Sequence, residues 1–188
     1  VRTGIPRRQH DHVCRTGTES RFPLPLCWTD IAMTRQPPGK RVDYRWFHAI
    51  TTRWMDNDVF QHVNNVNYFS YFDTAVTYYE MTEKVVGLLD GPVHCVVAEV
   101  ACRYHASLAF PDRVNVGIRV ASIGRSSVRY EIGIFRNDDD TAAAEGHFVH
   151  VFVERGVQKP VPIPPESRAK LALLTTPDSA PDALASGH

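Results

Sequence analysis

Between residues 66 and 89 apolar side chains recur at three- and four-residue spacing. From Pro92 to residue 154 they recur at every second residue instead. The first pattern is the period of a helix and the second that of strands. On the helix, Tyr68, Phe72, Ala75, Val76 and Tyr79 form one stripe, and Phe69, Tyr71 and Tyr78 add apolar surface on other sides. A helix apolar over so much of its circumference is largely buried. Gly87 and the turn Asp90-Gly91-Pro92 predict its end.

A run rich in aromatic and β-branched residues, 43–54, precedes the helix and reads as a strand. Four more strands follow, over 93–106, 113–123, 128–136 and 142–154. The turns between them are short, which makes the strands antiparallel neighbours. Strand, buried helix and four strands define an α+β domain, with an antiparallel sheet of about five strands wrapped around one long helix. The prolines at 160, 162, 164 and 165 interrupt regular structure, and residues 166–174 are suited to a short helix. The domain is expected to span 42–174. Residues 1–41 mix Arg, His, Pro and Gly without periodicity and read as a poorly ordered extension, in which Met33 is a candidate natural start. Residues 175–188 read as a flexible tail.

Composition narrows the function. Among the 188 residues acidic and basic side chains balance to a formal net charge of zero, which argues against a general nucleic-acid binder. No apolar run approaches the ~18 residues of a membrane span, and no secretory leader is evident. A cytoplasmic location is the expectation. The cysteines Cys14, Cys27, Cys95 and Cys102 show no Cys-x-x-Cys pair and no zinc-site spacing with histidine, so reduced thiols are expected, with Cys95 and Cys102 in or near the core. His147 and His150 fall on opposite faces of a strand and read as ordinary strand histidines. Neither a metal nor an organic cofactor is signalled. Gly-x-Ser-x-Gly, phosphate-loop and dinucleotide-binding motifs are missing, which speaks against a serine hydrolase or a nucleotide enzyme.

The chemistry concentrates in Arg53-Trp-Met-Asp56-Asn-Asp58-Val-Phe-Gln61-His62-Val-Asn64-Asn65-Val-Asn67-Tyr68. Two carboxylates, a histidine and three asparagines occupy a loop that joins a strand to the start of the buried helix. Loops between rigid elements carry catalytic groups disproportionately often. The free N–H groups at a helix start attract developing negative charge. A carboxylate to attack a carbonyl or deprotonate water, beside a donor for the forming oxyanion, suffices for an already activated ester.

The pattern Arg-x-x-Asp-x-Asp, His-Val-Asn-Asn, then Tyr resembles the signature of the 4-hydroxybenzoyl-CoA thioesterase-like branch of the hotdog-fold acyl-CoA thioesterase superfamily. The resemblance extends over about residues 42–155 and includes Gly124-Arg125-Ser126-Ser127. It implies a hotdog fold, a homodimer or homotetramer with active sites at subunit interfaces, and hydrolysis of an acyl-CoA thioester. By matched position it places the catalytic carboxylate on Asp58 and the carbonyl-polarising N–H on the main chain of Asn65. One departure is Gln61, where the family usually has Gly, a residue that permits backbone paths Gln does not.

Each candidate has a plainer reading beside it. Asp58 is the catalytic expectation, whereas Asp56 is expected to pair with Arg53 or cap the turn. His62 is a candidate for substrate contact or for hydrogen bonding within the loop. Asn64 and Asn65 side chains are expected to satisfy backbone groups, Asn64 or Asn65 as the helix N-cap. Tyr68 belongs to a stripe that serves the core and offers part of an acyl pocket. Arg125, Ser126 and Ser127 are candidates for the CoA moiety, as are Arg103 and Arg113 for its phosphates, against solvated strand-end roles. Two competing functions are a hotdog hydratase or dehydratase, whose His and acidic motifs are not found here, and a non-enzymatic acyl-CoA-binding module.

Overall fold

The computed structural model describes residues 37–87 and 90–175. The expected extension over 1–41 and tail over 175–188 therefore lie almost wholly outside the described residues. The elements are β1 (Trp46–Thr51), α1 (Asn65–Thr82), β2 (Val93–Tyr104), β3 (Arg113–Ile123), β4 (Ser127–Arg136), β5 (Ala144–Glu154) and α2 (Pro165–Ala172). All strands join one antiparallel sheet in the order β1-β3-β4-β5-β2. Helix α1 lies on one face of it, as the change from a 3.6-residue to a 2-residue period predicts.

The core forms where alternation on the strands meets the helical stripe. Val114, Val116, Ile118 and Val120 of β3, Tyr130, Ile132 and Ile134 of β4, and Phe148 and Phe152 of β5 are buried against Tyr68, Tyr71, Phe72, Ala75, Val76 and Tyr79 of α1. The helix is covered less completely than its composition predicts. Tyr78 remains half exposed and stacks on His48 at 4.3 Å. On the opposite face of the sheet, Tyr44 lies over Gly117 and Gly133, and a Cβ at Gly133 would come within 2.5 Å of its ring. The Tyr44 hydroxyl donates to Glu145 at 2.9 Å.

The helix ends at Thr82, well before the predicted stop at Gly87. Lys84 takes the left-handed conformation, with φ of 53°. The Val85 N–H then reaches the Glu80 carbonyl at 2.8 Å, and the Lys84 N–H reaches that of Met81 at 3.1 Å. This pair of bonds is the Schellman ending, normally built on glycine. A lysine in that position hides the signal. Helix α2 buttresses the same end: the Ser167 hydroxyl donates to the Val85 carbonyl at 2.6 Å, and the Tyr79 hydroxyl donates to that of Lys170 at 3.0 Å.

Candidate active site

The loop between β1 and α1 is a small closed structure. The Asn64 N–H donates to the Asp56 carbonyl and the Asp58 N–H to that of His62, both at 2.8 Å. Asn57 and Val63 pair between these bonds as an isolated antiparallel bridge. The Gln61 N–H returns to the Asp58 carbonyl at 3.0 Å, and the Val63 N–H ties the loop to Leu108 at 2.8 Å. Asp58 and the helix start are thereby held in one compact unit.

The two carboxylates take opposite roles. Asp56 is 1 % exposed. Its oxygens accept from the Arg53 N–H at 2.8 Å, from the Arg53 guanidinium at 3.0 and 2.9 Å, and from the Tyr71 hydroxyl at 3.0 Å. Its carbonyl takes a further bond from the Asn67 amide at 2.8 Å. Burial works to raise the Asp56 carboxyl, but the donors from Arg53 and Tyr71 outweigh it and hold it below the usual carboxylate value. A carboxylate so fully engaged is a structural pin. Burial and the neighbouring Asp56 charge push the Tyr71 phenol upward, so it keeps its proton and remains a donor.

Asp58 is only partly buried. One oxygen, Oδ1, accepts the Phe60 N–H at 2.8 Å in an Asx turn. Oδ2 has no protein donor among the described residues. The Asn64 side chain accepts the Val66 N–H at 3.2 Å and is the N-cap of α1. The Asn65 main-chain N–H, in the first turn, is left without a protein acceptor among the described residues. One carboxylate oxygen and one helix-start N–H thus remain available to a ligand.

The other expected contacts divide. His62 is exposed in the same loop, where its carbonyl holds Asp58. Tyr68 is buried on α1, its ring edge-on to Tyr104 at 4.9 Å. Arg125, Ser126 and Ser127 lie at the other end of the sheet. Thr51 pairs with Arg113 at the start of β3, and the turn follows Ile123 at its end, roughly 33 Å away along the strand. No single chain brings them to Asp58. Arg113 donates to Asp138 at 3.2 Å.

Gln61 has φ of 65°, the left-handed region in which glycine is at ease. The loop keeps the path that glycine would permit and bears the strain of a side chain there. Relief of about 1–2 kcal/mol, offset by about 0.4–1 kcal/mol of added unfolded-chain entropy, gives Gln61→Gly a net gain between about zero and about 1.5 kcal/mol. Urea unfolding of the two proteins measures it.

The thioesterase-like superfamily profile matches residues 52–171. The chain belongs to that superfamily. Among solved structures, a Pseudomonas aeruginosa protein is 45% identical, with 75% of this chain and 99% of that one covered and a TM-score of 0.73. A Thermus thermophilus thioesterase solved with coenzyme A and zinc is 32% identical over 70% of this chain and 95% of its own, with a TM-score of 0.60. A 1,4-dihydroxy-2-naphthoyl-CoA thioesterase from Synechocystis is 14% identical over 68% and 95%, with a TM-score of 0.62, and shows the shared fold alone. A comparison with curated protein sequences returned no match. The hotdog fold and the thioester-hydrolase class implied by the Asp58 loop agree with these findings.

Sequence reasoning missed one constellation. Glu80, Cys95 and His150 meet in the core, on α1, β2 and β5. The helical stripe holds a signal for it, since Glu80 interrupts the buried face between Tyr79 and Val85.

Proposed function

We propose that this chain hydrolyses an acyl-CoA thioester with Asp58 as nucleophile or general base and the Asn65 N–H as oxyanion donor. The observation that carries this reading is the division of labour in the loop. Asp56 is saturated and buried, whereas Asp58 keeps a free oxygen in the same closed loop that leads into an unpaired helix-start N–H. In the reaction the carbonyl carbon gains a C–O bond, and the oxyanion is held by the Asn65 N–H. The C–S bond then breaks. With Asp58 as base, the proton it took from water passes to the departing CoA thiolate; with Asp58 as nucleophile, water then cleaves the acyl–Asp58 anhydride, releasing the acid and supplying the thiol proton. A preorganised donor at an oxyanion is worth about 3–4 kcal/mol in comparable sites. The coenzyme A in the Thermus relative supports CoA as the leaving group.

A homodimer completes the site. Strand β2 is a sheet edge, twelve residues long, and Val97, Val100 and Tyr104 on it are 48%, 43% and 41% exposed. A long, apolar, unpaired edge calls for a second strand. Its Tyr104 end meets the active-site loop, through the Tyr104 hydroxyl and the Asn65 carbonyl at 3.4 Å. Its Val93 end lies with Ser127, through Val96 and Val151. Antiparallel pairing of two β2 edges about a twofold axis carries the partner's turn toward this chain's Asp58. The CoA contacts then fall to the partner subunit's Arg125, Ser126 and Ser127, with His62 and Tyr68 contributed by the chain that holds Asp58.

Free-thiol release from a panel of aromatic, short-chain and long-chain acyl-CoAs tests the activity and names the acyl class. Binding without release by any of them would replace hydrolysis with carriage. A dimer or tetramer is expected in light scattering, and Val100→Lys on the edge strand should shift the population to monomer and abolish turnover.

A further inference from the structure

The buried face of α1 carries one charged residue, Glu80, 2 % exposed. Its Oε1 takes two bonds, from the Tyr130 hydroxyl at 3.0 Å and with His150 Nδ1 at 2.9 Å. Its Oε2 takes none among the described residues, and no Lys or Arg there pairs with it. His150 is 5 % exposed, and its Nε2 is buried without any partner. Nε2 lies on the side of the ring away from Glu80, so Nδ1, already turned to the carboxylate, is the atom that can share a cation with it. Buried charges are usually paired or bound to a metal, and the Glu80 carboxylate faces no fixed cation among the described residues. Cys95 lies beside them, on the same sheet face as His150 and opposite Phe152 in the β2–β5 register. One ligand atom each from Glu80, Cys95 and His150 falls within 4.8 Å of the others.

We propose that Glu80, Cys95 and His150 form a binding site for a borderline-soft divalent cation of the zinc class, separate from the thioester site. Oxygen, nitrogen and sulfur donors together suit zinc and its congeners and do not suit magnesium or calcium. Bonds of about 2.0–2.3 Å at a tetrahedral centre set donor atoms roughly 3.3–3.8 Å apart, so the three side chains need to close by about 1 Å. Carboxylate and thiolate neutralise the dication, which allows the assembly to sit in an apolar core. The Cys95 thiol gives up its proton to solvent as the metal–sulfur bond forms. Tyr130, donating to the Glu80 oxygen not used for the metal, plays the orienting role usual around such centres. A cleft at the end of α1 is lined in part by Val93 and Phe152, the neighbours of Cys95. The site is remote from the chemistry. Glu80 lies fifteen positions after Asn65 on one helix, about 22 Å along its axis. Cation binding there does not depend on thioester hydrolysis.

Titration of Co2+ into the reduced, metal-stripped full chain tests it. The expected result is one Co2+ per chain, with visible d–d bands and a near-ultraviolet sulfur-to-cobalt charge-transfer band. Cys95→Ala should abolish the charge-transfer band with the circular dichroism unchanged, whereas Cys102→Ala should retain it. His150→Gln should weaken binding at least tenfold, and Tyr130→Phe by about tenfold. No charge-transfer band at equimolar Co2+, or a band that survives Cys95→Ala, would overturn the proposal. Should His150→Gln fail to fold, Cys95→Ala still decides, because it removes only a sulfur from a partly exposed position.

Discussion

Asp58→Asn should lower kcat/KM for the best acyl-CoA by a hundredfold or more while leaving the protein folded. General acid–base groups contribute about 10²–10⁴-fold, and a lost nucleophile costs at least as much. Asparagine is the informative replacement. Its Oδ1 can still accept the Phe60 N–H that Asp58 Oδ1 takes at 2.8 Å, so the Asx turn survives. What it loses is the negative charge and basicity of the free oxygen. Thermal unfolding within about 0.5 kcal/mol of wild type, as expected at a surface-facing position, separates loss of chemistry from loss of structure. A variant that keeps full turnover would remove Asp58 from the mechanism and leave the fold assignment untouched.

Asp56→Ala should fail differently, through stability. It strands the buried Tyr71 hydroxyl and the Arg53 N–H, each of which donates to this carboxylate. An unsatisfied buried donor costs about 1–3 kcal/mol, and the sum of about 3–4 kcal/mol is a large share of the roughly 5–15 kcal/mol that holds an ordinary domain. Activity should fall with it, because the lost carboxylate anchors the segment whose carbonyl, retained in alanine, closes the loop on Asn64 and Asn67. The same residue gives a pH dependence of known sign. Its folded carboxyl lies below the ordinary aspartate value of 3.8, so the unfolded chain binds the proton first as pH falls. Its contribution is complete above that value and is lost as pH drops through the folded one. Chemical denaturation from about pH 6 to about pH 3 should show wild type losing stability at the acid end more steeply than Asp56→Asn.

Much of the loop is legible in the chain itself. The pair Asp56 and Asp58 sits in a motif of fixed spacing, and the Arg53 partner of Asp56 is three residues away, so local sequence predicts which carboxylate is pinned. The helix end is hidden because Lys84 stands where a left-handed ending normally shows glycine. Gln61 conceals the same conformation in the β1–α1 loop. In both positions surrounding hydrogen bonds override the residue's own preference, and composition cannot report that.

The sequence by itself determined the order of elements, the antiparallel sheet around one helix and the polar loop that joins β1 to α1, because periodicity and short-range spacing involve residues adjacent in the chain. Only tertiary structure decided what meets across it. Glu80 and His150 lie 70 positions apart and touch because β5 is paired beside β2 under α1. Arg125–Ser127 is carried to the far end of the sheet by the length of β3. Strand register and the turn of a helix set these distances, and both are settled by the packing of the whole core, which no short window of sequence contains.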